Sequence, residues 1–245
     1  MSGSPSGPSG QSGPARAEGR FPQRSHARSN RARLLAAARQ ELGRDPDASL
    51  DAIARAAGVA RRTLYGHFPN REALVSALAE EAKEALGEAL ATARRPGADP
   101  ATALARLALA TWAVGDRHRM LISLARRDLG EDRIRAALAP VRAEATAILE
   151  RGQREGVFAG HLPAPVLAVA TESLGLAVLE SQAQPGWSDP AGRAAATAVL
   201  VAAGIAPADA RRRVVAVLAD TAVQTVATSS SSPFDVRSPS ARPAK

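Results

Sequence analysis

Apolar positions recur at three- and four-residue spacing along most of the chain, which is the period of an amphipathic helix. Leu34, Leu35, Ala38 and Leu42 predict a helix over 30–43 that Gly43 ends, with Arg31 and Arg33 off its apolar stripe. Ser49 is a good N-cap for the next, with Asp51 in the first turn and Ile53, Ala54 and Ala57 facing inward. Gly58 falls where that helix must stop and the backbone needs positive φ. After Val59 and Ala60 a second short helix buries Leu64 and Phe68 on one face, until Pro69 stops it. Asn70 caps a long helix over 71–94, marked by Leu74, Leu78, Ala82, Leu86 and Leu90 and broken by Pro96-Gly97. Further helices are predicted over 99–114 (Asp99 as N-cap, Pro100 at N1), 116–128 and 131–153, where Pro140 marks a kink or a split. The last three lie over 163–182, which is unusually apolar, 190–203 and 208–228.

Two short helices joined by a Gly-Val turn are the sequence form of a helix-turn-helix. The second helix presents Arg61, Arg62, Thr63, Tyr65, Gly66 and His67 away from Leu64 and Phe68. Arginine pairs bidentately with guanine, and threonine, tyrosine and histidine hold phosphates or touch base edges. Gly66 lets a backbone approach closely. Arg31 and Arg33 of the lead-in helix are expected on the DNA-backbone side.

The run Ile53, Ala54, Ala57, Gly58, Val59, Thr63, Leu64, Tyr65, His67, Phe68, Arg71, Leu74 resembles the DNA-binding domain of TetR-family transcriptional regulators. Arg71 stands where that family usually has lysine; the charge is kept, and with it a phosphate contact. The specific match covers about residues 31–80. The resemblance, with the pattern above, implies an all-α fold: an N-terminal three-helix helix-turn-helix domain (29–75) and a larger helical bundle (76–228). The DNA-binding set is Ser49, Arg61, Arg62, Thr63, Tyr65, Gly66, His67 and Arg71. The family further implies a homodimer on a palindromic operator, acting as a repressor released by a small-molecule effector. Its ligand cavity is expected among Trp112, His118, Leu121, Leu124, Ile148, Glu172 and Leu174, with helix 71–94 linking head to body. Dimerisation is expected through 163–182 and 190–203, with 208–228 as the alternative to the second.

Composition narrows the alternatives. Net charge is +8, and residues 1–71 hold twelve arginines against five acids, so the basic charge gathers around the helix-turn-helix, as binding to a polyanion requires. Residues 1–28 read as a disordered basic tail, or as an arm reaching a minor groove, and 229–245 as a second disordered tail. Alanine supplies much of the apolar content and aromatics only 3%, so closely approaching helices are expected. There is no cysteine, which excludes disulfides, thiolate metal sites and cysteine nucleophiles. No apolar run of the length that spans a bilayer is read from the sequence, nor a signal peptide's apolar core, and a cytoplasmic protein without a membrane role is expected. Glu144, Glu150, Glu155 and His161 form no H-E-x-x-H site, and no phosphate loop or nucleophile elbow is present; neither enzyme activity, metal nor cofactor is expected. A DNA-binding regulator without an effector, constitutive or working through a protein partner, is the alternative function. A sizeable cavity in the body argues against it.

Overall fold

The computed structural model describes residues 21–182 and 184–230, with side-chain surroundings for 29–182 and 184–223. Among the described residues there are eleven helices and no strand, an all-α fold. The chain divides into two compact units between Leu74 and Val75.

The first unit holds α1 (Phe21–Arg44), α2 (Leu50–Ala56) and α3 (Arg61–His67). Leu34, Leu35, Ala38, Leu42, Ile53, Ala54, Leu64, Phe68 and Leu74 are all buried. α1 packs on α2, and α2 on α3. The turn between α2 and α3 is closed by the Val59 N–H on the Ala54 carbonyl (3.0 Å) and the Gly58 N–H on that of Arg55 (3.0 Å), with Gly58 at φ +63°. Helix α1 begins nine residues before the expected start at 30, so residues 21–28 are helical and not a disordered tail. No apolar stripe marks that stretch, but extending an existing helix costs little once its nucleus has formed. Pro22 falls in the first turn, where its missing N–H has no helical partner in any case. The predicted tail residues 1–20 and 231–245 lie outside the described residues.

α4 (Arg71–Ala93) starts in the first unit and continues into the second. The second unit adds α5 (Pro100–Arg117), α6 (Arg119–Leu129), α7 (Glu131–Ala137), α8 (Ala139–Arg154), α9 (Ala164–Ser181), α10 (Arg193–Ala202) and α11 (Pro207–Ser230). α5 packs against α8, α9, α10 and α11, and α10 also touches α9 and α11. The core runs through Leu104, Leu149, Leu167, Leu200 and Val214, with many alanines between. Pro140 splits the predicted 131–153 helix into α7 and α8, because it lacks the N–H that would carry the first across. α10 starts at Arg193, not Pro190, since Gly192 sits at φ +67°, outside helical space. α9 is long and apolar enough to pass for a membrane-crossing helix, although no such stretch is expected from the sequence. It does so despite Glu172 and Glu180, and its buried residues Leu167, Ala168 and Leu179 belong to the bundle's apolar clusters.

Candidate functional site

In the first unit, α3 carries an outward face. Arg61, Arg62, Tyr65 and Gly66 are exposed, Tyr65 by 46% although it is the chain's one tyrosine. Thr63 and His67 are half-buried. A Cβ on Gly66 would meet no atom within 4 Å, so no packing requires glycine there. Glycine inside a helix costs about 1 kcal/mol against alanine, and what it leaves here is a bare stretch of backbone beside Tyr65.

The remaining sequence-predicted residues are partly engaged within the unit. The Ser49 hydroxyl caps α2, accepting from the Ala52 N–H at 3.2 Å. Arg61 forms an ion pair with Asp51, joining α3 to α2. Arg71 donates to the Ala48 carbonyl (3.1 Å) and to that of Pro46, so it latches the start of α4 to the loop before α2. Arg62 and Tyr65 stand outward.

Arg31 and Arg33 of α1, expected on the DNA-backbone side, both lie inside the unit's own bonding. Arg33 donates to the carbonyls of Ala57 (3.1 Å) and Gly58 (3.2 Å), the end of α2 and the turn itself. The Arg31 guanidinium lies 5.6 Å from the centre of the Phe68 ring, within cation–π range. Neither contact leaves a mark in the sequence, because an arginine outside an apolar stripe reads the same whether it meets water or a carbonyl 24 residues away.

The second unit contains a cavity of about 220 Å³ walled by α4 to α10. Of the seven expected wall residues, Trp112, His118, Leu121 and Glu172 line it. Leu124 and Ile148 are buried but not among the wall residues, and Leu174 is half-buried and also elsewhere. On a helix one residue along turns a side chain by about 100°, so neighbours of a wall residue readily face away. Most of the wall is aliphatic. Its ionisable groups are Lys83, His118, Arg133, Arg142 and Glu172. Arg142 Nε and Nη2 donate to the two Glu172 carboxylate oxygens at 3.0 and 2.8 Å, a bidentate pair between α8 and α9. Gly175, which sequence reasoning passed over, also lines the cavity, and a Cβ there would meet nothing within 4 Å. Among the described residues no group of three or more His, Cys, Asp or Glu is placed to hold a metal ion.

Residues 34–78 match the family model described as bacterial regulatory proteins, tetR family. The chain therefore carries a tetR-family DNA-binding domain over those residues. It is a DNA-binding transcriptional regulator. Solved structures share the fold of this chain at low identity. A tetR-family regulatory protein from Rhodococcus RHA1 is 21% identical, with a TM-score of 0.60 over 72% of this chain and 98% of that one. PfmR from Thermus thermophilus is 22% identical, with a TM-score of 0.57 over 70% and 97%. LfrR from Mycobacterium smegmatis, solved with proflavine, is 22% identical, with a TM-score of 0.55 over 74% and 98%. No curated protein matches the chain.

Proposed function

We propose that this tetR-family chain is a dimeric repressor that reads a palindromic operator through α3 and leaves it when a small molecule fills the cavity of the second unit. The observation that carries this reading is the coexistence of an outward α3 face with an aliphatic cavity in a separate unit. A regulator with no effector has no use for a cavity of this size, since unfilled space costs the wall its packing contacts. LfrR, similar in fold, was solved with a small molecule, which supports a ligand role for this chain's second unit.

Arg62 is assigned to base edges and Tyr65 to phosphate, with His67 and Thr63 beside them and Gly66 opening the approach. Ser49 and Arg71 contribute at the edge of the contact, through whatever donors their internal bonds leave. One short helix reads too few bases for specificity, so two heads on half-sites about one turn apart, ~34 Å, are needed. The dimer surface is assigned to α9 and α11. Val166 and Val169 on α9 and Val215 and Val223 on α11 are exposed, while α10 turns Ala195, Ala196, Val199 and Leu200 into the core. Of the two sequence-level pairings, this favours α9 with 208–228. α4 supplies Ala79, Ala82, Lys83 and Leu86 to the cavity and follows directly on the helix-turn-helix in the chain, so it is the element through which a ligand biases the heads. The ligand must bind the two states with different affinity to shift them. The protein acts in the cytoplasm, where its operator lies.

The test is selection of DNA from a genomic library at two salt concentrations. A palindrome with half-sites one turn apart is expected. Arg62→Ala should then relax base preference by about 1–3 kcal/mol at the position it reads. Tyr65→Phe should weaken binding evenly across sequences. Salt-sensitive binding without any preferred sequence would overturn the reading.

A further inference from the structure

The charges around the cavity divide unequally. Glu172 is the only carboxylate among its wall residues, and both of its oxygens are taken by Arg142. That pair is largely withdrawn from solvent, with the two side chains 23% and 16% exposed. Lys83 is held by Glu80 at 3.2 Å. Arg133 differs from all of these. It lies on α7, reaches both the cavity and solvent, and among the described residues it has neither a hydrogen bond nor an ion pair. The site therefore presents a neutralised acid in its wall and an unspent guanidinium at its edge.

We infer that the cavity takes an amphiphilic carboxylate, with its apolar body among the aliphatic wall residues and its carboxylate on Arg133. This rests on the reading of the cavity as an effector site and adds the charge and size of the effector. A guanidinium's planar fork matches a carboxylate in two parallel hydrogen bonds. A lipophilic cation would find its one possible counter-charge occupied, and would have to leave Arg142 unpaired in a partly desolvated place to reach it. A neutral amphiphile fits the apolar wall but gains nothing from Arg133. A dry apolar cavity of ~150 Å³ takes a benzene ring, so 220 Å³ fits a body of roughly nine non-hydrogen atoms.

The probes are octanoate, octan-1-ol and octylammonium, which share one chain and differ in charge, titrated calorimetrically into the full-length protein. Octanoate is expected to bind about tenfold or more tightly than the other two, the worth of a hydrogen bond to a charged group. Arg133→Gln, on an exposed and unpartnered side chain, should bring octanoate down to the level of octanol and leave octanol unchanged. Arg133→Lys should recover part of the loss. Gly175→Leu should block all three, because its side chain enters open space at the wall. Should that variant not fold, brominated octanoate serves instead: in Trp187→Phe protein it should quench Trp112, which lines the cavity. Octanol or octylammonium binding as tightly as octanoate, with the site still mapped to the cavity, would overturn the anion assignment and leave the effector cavity standing. Binding by none of the three, or binding that Gly175→Leu and Trp112 do not sense, would overturn the cavity reading and this inference with it.

Discussion

The Phe158 ring lies so close over Gly152 that a Cβ on that glycine would come within 2.1 Å of it. Phe158 is itself buried and follows the end of α8, where the N–H groups of Val157 and Phe158 both donate to the Gly152 carbonyl (2.8 and 3.1 Å). The chain thus folds back onto α8 at a point where only glycine leaves room. Gly152→Ala must push the ring or the backbone aside, and should destabilise the second unit by about 1–3 kcal/mol, as overpacking of a dense core does. Chemical denaturation measures it; an unchanged midpoint would show that the ring moves freely. A single residue of this kind is opaque in sequence. Gly152 reads there as a tolerated glycine inside a helix, and only the position of Phe158 makes it a requirement. Tyr65 was more legible. An aromatic on the polar side of a short helix conflicts with burial, and the structure leaves it exposed.

At the scale of elements, the start of α10 shows how much a loop can carry. Asp189 is almost fully buried, and its carboxylate accepts from the N–H groups of Arg193, Ala194 and Ala195 at 2.8, 2.8 and 2.9 Å. Three of the orphan donors of the helix are satisfied by one side chain, aided by the positive end of the helix dipole. Its own N–H donates to Gln182 Oε1 at 2.9 Å, which fixes the end of α9 to the same loop. Asp189→Ala should therefore cost about 2 kcal/mol, the upper end of the range for an N-cap, with Asp189→Asn losing less. A thermal melt comparing the two variants decides it; equal melting temperatures for wild type and Asp189→Ala would refute the role. The apolar pattern alone starts this helix at Pro190, since nothing in it shows that Gly192 holds positive φ. The same reasoning places α4 within a residue of its end, since a sustained apolar period bounded by Asn70 and Pro96-Gly97 leaves few choices. Helix existence follows from periodicity. Helix starts depend on caps and on the backbone of one or two residues, which different sequences satisfy in different ways.

For the whole molecule, the helix-turn-helix was legible because its requirements are local: a cap, an αL glycine, two apolar faces and a proline, all between Ser49 and Leu74. The cavity was not, because it is a space between seven helices whose wall is set by rotation of each one. The proposed dimerisation belongs to this scale too. On α9 the residues at 165, 166, 169, 170, 173, 177 and 180 are exposed, and one exposed face of α11 runs through 208, 212, 215, 219 and 222. Both series follow helical spacing, and apart from Pro165, Ser173, Glu180 and Arg212 they consist of alanine and valine. Small side chains would let two such helices approach their counterparts in the proposed dimer closely, with the valines supplying the apolar area. Val169 and Val215 remain about half exposed in the single chain. Covering both in each of two subunits contributes roughly 3 kcal/mol, at half of the ~1.5 kcal/mol that burying a whole valine side chain is worth. The double variant Val169→Arg, Val215→Arg should lose that and add like-charge repulsion across the two-fold axis, because an isologous interface meets its own substitutions. Sedimentation should then show a monomer whose helical content and melting temperature are close to wild type. Operator affinity should fall with it, since a monomer binds one half-site and loses the effective concentration of the second head. A variant that stays dimeric would move the interface to another face. A monomer that still binds the full operator tightly would remove dimerisation as the basis of its specificity.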